Sequence, residues 1–298
     1  MSAAPGVCVY CGSRSLRQIY SGLYHKLKKD HGPFNWFVCN QCGSGSTAPL
    51  PSPESLAQLY SMHQYGLPQE AVAHGEHWHP ECVDRISSLA GLSPEKTFTW
   101  IDFGAGTGAM ASMFAKRFPK SMGWAIDLHE RPPLLEQFED GLNWVQADLN
   151  QFDLRKIGSL RADIVYATAV WEHVLYPDLF VRNMIGMLKD GGLLYLLCPN
   201  YNSLARKLMG RKWPYFHPGE HLFMPTPVGS RECLSRELSL AKCPEARATI
   251  WAKPRLLRYS VQYALRRSGL ENRLSGLFGS GFAVLMPVGA LESVLTLG

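Results

Sequence analysis

The stretch from Trp100 to Gly108, Trp-Ile-Asp-Phe-Gly-Ala-Gly-Thr-Gly, constrains the fold more than any other part of this chain. An apolar run from Phe98 to Phe103 gives way to three glycines at alternate positions, Gly104, Gly106 and Gly108, ahead of a helical segment from Ala109 to Phe118. That order reads as a buried strand turning sharply into a helix. Glycines at such a turn let a ligand approach the backbone where a Cβ would collide, and the helix start offers unpaired N–H groups to polar or anionic atoms. The turn points to a nucleotide-like ligand at the end of a strand.

Gly104-x-Gly106-x-x-Ala109 also fits the dinucleotide fingerprint loosely, which keeps a nicotinamide oxidoreductase in view. Asp102 argues against it. A carboxylate just before the first glycine would sit near a dinucleotide's pyrophosphate, where like charge is costly, but it suits a ligand carrying an ammonium and a sulfonium. With Asp102 in place the stretch resembles the first motif of the class I S-adenosylmethionine (SAM) methyltransferases, acid-x-Gly-x-Gly-x-Gly. The resemblance implies a doubly wound, Rossmann-like α/β sheet of seven strands, with SAM lying along Asp102, Gly104, Ala105, Gly106 and Gly108.

Later strand ends continue the pattern. Met122 to Ile126 reads as a strand ending at Asp127, nineteen residues past Gly108, where a carboxylate can accept hydrogen bonds from both ribose hydroxyls, with Leu128 beside it. Trp144 to Ala147 ends at Asp148-Leu149, which matches the position where SAM enzymes receive the adenine amino group, Leu149 packing on the ring. One such acid is often only a turn residue; three at successive strand ends are harder to dismiss. Asp163 to Ala169 is the fourth strand and places Ala169 at the cofactor pocket. A helix from about Pro177 to Leu188, a glycine turn at Lys189-Asp190-Gly191-Gly192 and a fifth strand, Leu193 to Cys198, follow. Helices alternating with strands predict a parallel sheet with ligands beyond its carboxyl edge. Ala248 to Trp251 and Phe282 to Met286 read as closing antiparallel strands.

The N-terminal part has a different chemistry. Cys8-x-x-Cys11 and Cys39-x-x-Cys42 are two knuckles with 27 residues between them, each followed by glycine, Gly12 and Gly43. Paired knuckles place four thiolates around one tetrahedral Zn²⁺, a structural site because no coordination position stays open. The long spacer leaves room for a hairpin carrying Tyr20 to Lys29. Pro49-Leu50-Pro51-Ser52-Pro53 reads as a linker. The expected organisation is a zinc-ribbon-like module over 1–50, a linker with pocket-capping helices over 51–97, and the SAM-binding domain over 98–298. The segment from His74 to Cys82 is rich in ligand types but lacks a repeated spacing, so it reads as a pocket cap, and a second metal there stays open.

With 298 residues the chain has room for a full α/β core and an accessory module. The N-terminus has no basic stretch followed by an apolar core, so the expected compartment is the reducing cytoplasm. A net charge of +5 permits an anionic partner without demanding nucleic acid. Lys253, Arg255, Arg258, Arg266, Arg267 and Arg273, set among apolar residues, predict a basic helical insertion near 253–273 that suits an anionic membrane surface or acceptor.

Trp171-Glu172-His173-Val174, Leu188-Lys189-Asp190-Gly191-Gly192, Cys198-Pro199-Asn200, Trp213 and His221-Leu222 resemble a bacterial group with an N-terminal zinc-binding module, which includes sugar C-methyltransferases. Such enzymes align an acceptor with an already activated methyl group and remove its proton. His221, oriented by Glu220, and His173 are the candidate catalytic residues, since imidazole titrates near neutrality. The segment Tyr201 to His221, with Trp213, Tyr215 and Phe216, is expected to fold over the pocket and stack on a sugar or other small polar or glycan-linked acceptor. Two alternatives remain: a nucleic-acid or protein methyltransferase guided by the zinc module, and a non-catalytic SAM-binding scaffold. Against nucleic acid, no Asn-Pro-Pro-Tyr turn follows the fourth strand and no aromatic-basic stripe is present.

Overall fold

The computed structural model describes residues 6–25, 31–66, 79–138, 140–150, 160–241, 247–253, 256–260, 283–287 and 290–296. The first knuckle leads into an antiparallel set, β1 (Leu16–Leu23), β2 (Phe34–Cys39) and β3 (Gly45–Ala48), then α1 (Pro53–Gly66) and α2 (His79–Leu89). There follow β4 (Thr99–Phe103), α3 (Ala109–Arg117), β5 (Met122–Asp127), β6 (Leu142–Gln146), β7 (Ala162–Thr168), α4 (Pro177–Gly186) and β8 (Leu188–Pro199). The remainder comprises α5 (Leu204–Met209), β9 (Phe223–Met224), α6 (Pro227–Leu240), β10 (Arg247–Lys253), β11 (Leu256–Ser260), β12 (Ala283–Pro287) and β13 (Ala290–Thr296).

The main sheet runs β10-β13-β8-β7-β4-β5-β6. Six strands share one direction; β13 alone opposes them, pairing antiparallel with both β8 and β10. Successive side chains of a strand face opposite sides, and a parallel sheet is covered on both. Ile101, Phe103, Val165, Ala167, Leu194 and Leu196 accordingly pack on one side with Phe180, Met184 and Leu234 from α4 and α6. Trp100, Ile164, Tyr166, Leu193 and Tyr195 pack on the other with Val83, Ile86, Met110 and Phe114 from α2 and α3. The chain leaves β4 for β5 on one side and reaches β7 on the other, so the carboxyl ends of β4 and β7 open the crevice of a doubly wound sheet.

The second closing strand differs from the sequence expectation. Ala290–Thr296 fills the place assigned to Phe282–Met286, while Ala283–Pro287 pairs with Leu256–Ser260 in a separate two-stranded sheet. Glu292 and Ser293 hid the true strand by interrupting its apolar pattern. Glu292 is buried, accepting from the Tyr195 hydroxyl (3.1 Å) and from Arg85 (3.3 Å). In the expected basic helix, Lys253 instead ends β10 and 256–260 are strand; 254–255 and 261–273, with Arg255, Arg266, Arg267 and Arg273, lie outside the described residues, as does 67–78 with most of the His74–Cys82 segment. Cys82 itself is buried under Tyr195 in the α2 core. The glycine turn at 189–192 is absorbed into β8 as an irregularity of its pairing with β7, Gly191 taking φ +74°.

The N-terminal sheet is not closed by its own residues. Its order is β1-β2-β3-β9, so Phe223 and Met224, from far along the chain, complete it. Tyr10 packs edge-on against Trp171, and Arg236 of α6 donates to the carbonyls of Val9 (2.9 Å) and Tyr10 (3.0 Å). Thr226, the residue capping α6, donates through its hydroxyl to the Cys42 carbonyl. No described helix is long and apolar enough to cross a membrane.

Candidate active site

The glycine turn has the geometry its sequence implies. Gly104, Gly106 and Gly108 all take positive φ (+74°, +55° and +75°), where an L side chain is strained. A Cβ on Gly108 would lie 2.8 Å from the Leu135 side chain, and one on Gly104 would overlap Val170. At Gly106 it would meet nothing within 4 Å, so the loop backbone faces open space there. The N–H groups of Gly104 and Ala105 tie the loop to the Ile126 carbonyl, and Gly106 N–H donates to Asp127 Oδ2 at 2.8 Å. Asp127 Oδ1 in turn accepts from the backbone (3.1 Å) and Nδ1 (2.7 Å) of His129. Nothing in the spacing marked His129.

Asp102 is buried at the end of β4, its Oδ2 without a hydrogen-bond partner. Burial pushes its carboxyl up to about 8; nearby Tyr166 lowers it and Asp127 raises it. Asp102 thus lies buried under the loop. Ala169, directly after β7, takes φ +56°, the one described non-glycine residue in the left-handed region. Asp148 accepts from Asn150 N–H (2.8 Å). Leu128 and Leu149 are half-buried at the same edge. The loop after β4, Asp127, Asp148 and Ala169 thus stand at the ends of successive strands on one edge of the sheet, with open space over Gly106, an arrangement able to hold an adenosine-containing ligand.

A family model described as a methyltransferase domain matches residues 74–236, more than half of the chain. The chain belongs to that methyltransferase family. It is a SAM-dependent enzyme, and solved structures with bound S-adenosylhomocysteine share its fold. The plantazolicin methyltransferase BpumL is 15% identical with a TM-score of 0.53, over 83% of this chain and 95% of that one. The Burkholderia thailandensis 1,6-didemethyltoxoflavin-N1-methyltransferase is 14% identical with a TM-score of 0.54, over 87% of this chain and 97% of that one. No curated protein sequence matches the chain.

Beyond Val170 of this methyltransferase lies a second group of side chains. The turn Trp171-Glu172-His173 follows β7, and Glu172 accepts through its carbonyl from Leu222 N–H at 2.7 Å, while the Leu222 carbonyl accepts from Thr47 N–H at 2.8 Å. Those two bonds clamp Glu220-His221-Leu222 between the catalytic sheet and β3. The rings of His173 and His221 meet edge-on with centroids 4.5 Å apart. Tyr60 of α1 packs on His173, with its hydroxyl 3.4 Å from Nδ1; the sequence offered no sign of it.

The expected Glu220–His221 pair is not formed. Nδ1 of His221 lies 2.6 Å from the Tyr215 carbonyl and donates to it, which leaves Nε2 as the lone-pair nitrogen. Glu220 Oε2 meets His25 (2.9 Å) and His217 (3.1 Å) instead; burial raises its carboxyl, but those two hydrogen bonds and the charges of His221 and His173 outweigh it and hold the group well below its ordinary range. Burial and the charges of His173 and His217 hold His221 well below the usual histidine range. Burial pushes Glu172 up to about 8. Trp213 and Phe216 do not face a ligand: both are buried in a cluster with Trp36, Leu23 and Tyr201, cementing the 201–221 segment to the N-terminal sheet.

In the cysteine module Cys8 Sγ lies 3.6 Å from Cys42 Sγ, and Cys11 Sγ 3.6 Å from Cys39 Sγ. All four sulfurs fall within 4.8 Å of one another. A tetrahedron with Zn–S bonds of about 2.3 Å has edges of about 3.8 Å, so the spacing fits that ion. Gly12 and Gly43 take φ +73° and +74°, and their N–H groups close each knuckle on the Cys8 and Cys39 carbonyls.

Proposed function

We propose that this methyltransferase moves the methyl group of SAM to a small polar acceptor, a sugar or a glycan-linked or other secondary metabolite, with His221 receiving the acceptor's proton. SAM lies along Gly104 to Gly108, with Asp127 on the ribose and Asp148 near the adenine; it supplies the activated methyl group. The observation that carries the reading is the tautomer of His221. Its Nδ1–H is committed to the Tyr215 carbonyl, so Nε2 is available as a base beside the turn that follows β7. Depression of the His221 pKa keeps the ring neutral and able to accept a proton at neutral pH.

Cys8, Cys11, Cys39 and Cys42 hold a structural Zn²⁺ in this reading, and the module serves as a wall of the acceptor pocket. Its sheet is completed by β9 and its aromatic face is consumed by Trp213 and Phe216, so it offers little as a nucleic-acid platform. The bound small molecules of the structural neighbours, didemethyltoxoflavin and plantazolicin analogues, are in keeping with a compact acceptor.

His221→Ala should lower turnover of the true acceptor by about 10²-fold to 10⁴-fold while SAM affinity in calorimetry stays unchanged. Near-normal turnover would remove His221 from the base role, and a parallel loss of SAM binding would make it a pocket residue. SAM binding with no S-adenosylhomocysteine formed from any polar acceptor would favour a scaffold.

A further inference from the structure

Two triads of metal-ligand type lie side by side at the acceptor end of the crevice, and they differ in how their carboxylates are satisfied. In the first, His25, His217 and Glu220, one carboxylate oxygen meets both imidazoles at 2.9 and 3.1 Å. In the second, Glu172, His173 and His221, the carboxylate is buried and neither of its oxygens has a hydrogen-bond partner. Leaving two carboxyl oxygens dry and unpartnered costs several kcal/mol. The turn Trp171-Glu172-His173 is nevertheless held firmly, by the Trp171 indole on the Pro177 carbonyl (3.0 Å) and by Leu222 N–H on the Glu172 carbonyl.

We infer that Glu172, His173 and His221 form a second metal centre, distinct from the four cysteines, for one first-row divalent cation of the Zn²⁺, Co²⁺, Fe²⁺ or Mn²⁺ class. The three ligand atoms fall within 4.8 Å of one another. Glu172 Oε1 stands 3.9 Å from His173 Nε2, and a small rotation of the carboxylate reaches the roughly 3.3 Å edge set by metal–ligand bonds of about 2.0 to 2.1 Å. Each imidazole already has the outer contact that metal-bound histidines use to fix their tautomer. Nδ1 of His221 donates to the Tyr215 carbonyl at 2.6 Å, and Nδ1 of His173 faces the Tyr60 hydroxyl, which itself donates to the His173 carbonyl at 3.3 Å.

Two imidazoles and one carboxylate select borderline transition cations over Ca²⁺ and Mg²⁺, which take mostly oxygen ligands. Three protein ligands also leave coordination positions open, unlike the cysteine site. The site stands on its own geometry and does not need the proposed acceptor. Nε2 of His221 serves one use at a time, so a seated cation suspends its use as a base.

The test is a Co²⁺ titration, without acceptor, of full-length protein holding one zinc per chain, which the four thiolates take and Co²⁺ does not outcompete there. The expected result is one further Co²⁺ per chain, with ligand-field absorption that lacks sulfur charge transfer. Glu172→Gln keeps the shape of the side chain and should weaken that binding by at least about tenfold, the scale at which even outer partners of metal ligands act. His221→Ala should do the same, and the remote Asp163→Asn should not. Unchanged SAM affinity in each variant shows that the fold survives. Overturning results are no Co²⁺ beyond the cysteine site, or equal Co²⁺ affinity in wild type and Glu172→Gln. Either leaves the base role of His221 intact. In a separate assay with an acceptor, activation of turnover by the bound Co²⁺ would move proton removal from His221 to the ion, overturning the base reading while supporting the site.

Discussion

The proposed cofactor side and the proposed acceptor side of this methyltransferase are built by opposite rules. The cofactor side is assembled from strand ends close in sequence order: Asp102 to Gly108 after β4, Asp127 after β5, Asp148 after β6 and Ala169 after β7. The acceptor side draws His25 from the N-terminal sheet, Tyr60 from α1, Glu172 and His173 from the turn after β7, and Tyr215 to His221 from the segment before β9. Local geometry makes the first; tertiary packing makes the second. The two sides should therefore fail separately when perturbed.

The largest expected separation comes from the cysteine module. Structural zinc holds small modules with apparent energies of about 10 kcal/mol or more. Chelation, or Cys39→Ser, should thus release the N-terminal sheet that clamps Leu222 and positions His25. Turnover should be lost while SAM affinity, measured by calorimetry on the same sample, stays within about threefold, since Gly104, Ala105, Gly106 and Asp127 are braced by one another, by β5 and by His129. Equal loss of both would mean that the two sides form one cooperative unit.

Next in size is the pH dependence set by Asp102. Its folded pKa, about 8, lies above the ordinary carboxylate value, so the folded protein keeps a proton that the unfolded chain gives up. The contribution to stability is complete below the unfolded pKa of about 3.9 and is lost progressively as pH rises through about 8. Thermal melts of the cofactor-free enzyme should fall from about pH 5 to about pH 9, and Asp102→Asn should flatten the decline. Cationic SAM should drive the proton off on binding, read as a binding heat that depends on the buffer. An unchanged slope in Asp102→Asn would remove Asp102 as its source.

Asp127→Ala is smaller and more local. Losing charge-assisted hydrogen bonds to ribose should weaken SAM by roughly 1.5 to 3 kcal/mol. The acceptor KM should not move. A loss of SAM affinity well below that range would mean that Asp127 serves mainly to brace Gly106 and His129, the bonds it makes in this structure.

How much of this could be read from the chain follows the same division. Asp102, the glycines, Asp127 and Asp148 stand out because a strand that turns into a helix around a ligand needs those residue types at fixed offsets. The paired cysteines stand out for the same local reason. Tyr60 and His25 leave no trace, since each acts through a contact with residues far along the chain. Adjacency in sequence pairs Glu220 with His221, but the turn from His217 directs the carboxylate toward His25 and His217. Trp213 and Phe216 look like a sugar platform in sequence because an aromatic residue on a pocket and one in a core carry the same composition. The strand Ala290–Thr296 is hidden in the sequence because its buried Glu292 breaks the apolar pattern that marks a core strand.

The smallest effect lies at Ala169, where the two sides meet. At φ +56° its Cβ crowds the backbone, a cost of roughly 1 to 2 kcal/mol for an L residue that glycine does not bear. Strain of this kind persists where the surroundings overdetermine it, and here the Ala169 N–H is held by the Leu197 carbonyl at 2.8 Å while Val170 is wedged over Gly104. Ala169→Gly should relieve the strain but enlarge the entropy of the unfolded chain, leaving a net gain of about 0.5 to 1 kcal/mol. For a domain of this size that raises Tm by about 2 °C. If the Ala169 Cβ is part of the SAM wall, the same variant should bind SAM slightly less tightly, so that stability and cofactor affinity move in opposite directions. A lower Tm would show that the turn carries no strain, and a higher Tm with unchanged SAM affinity would place Ala169 outside the pocket.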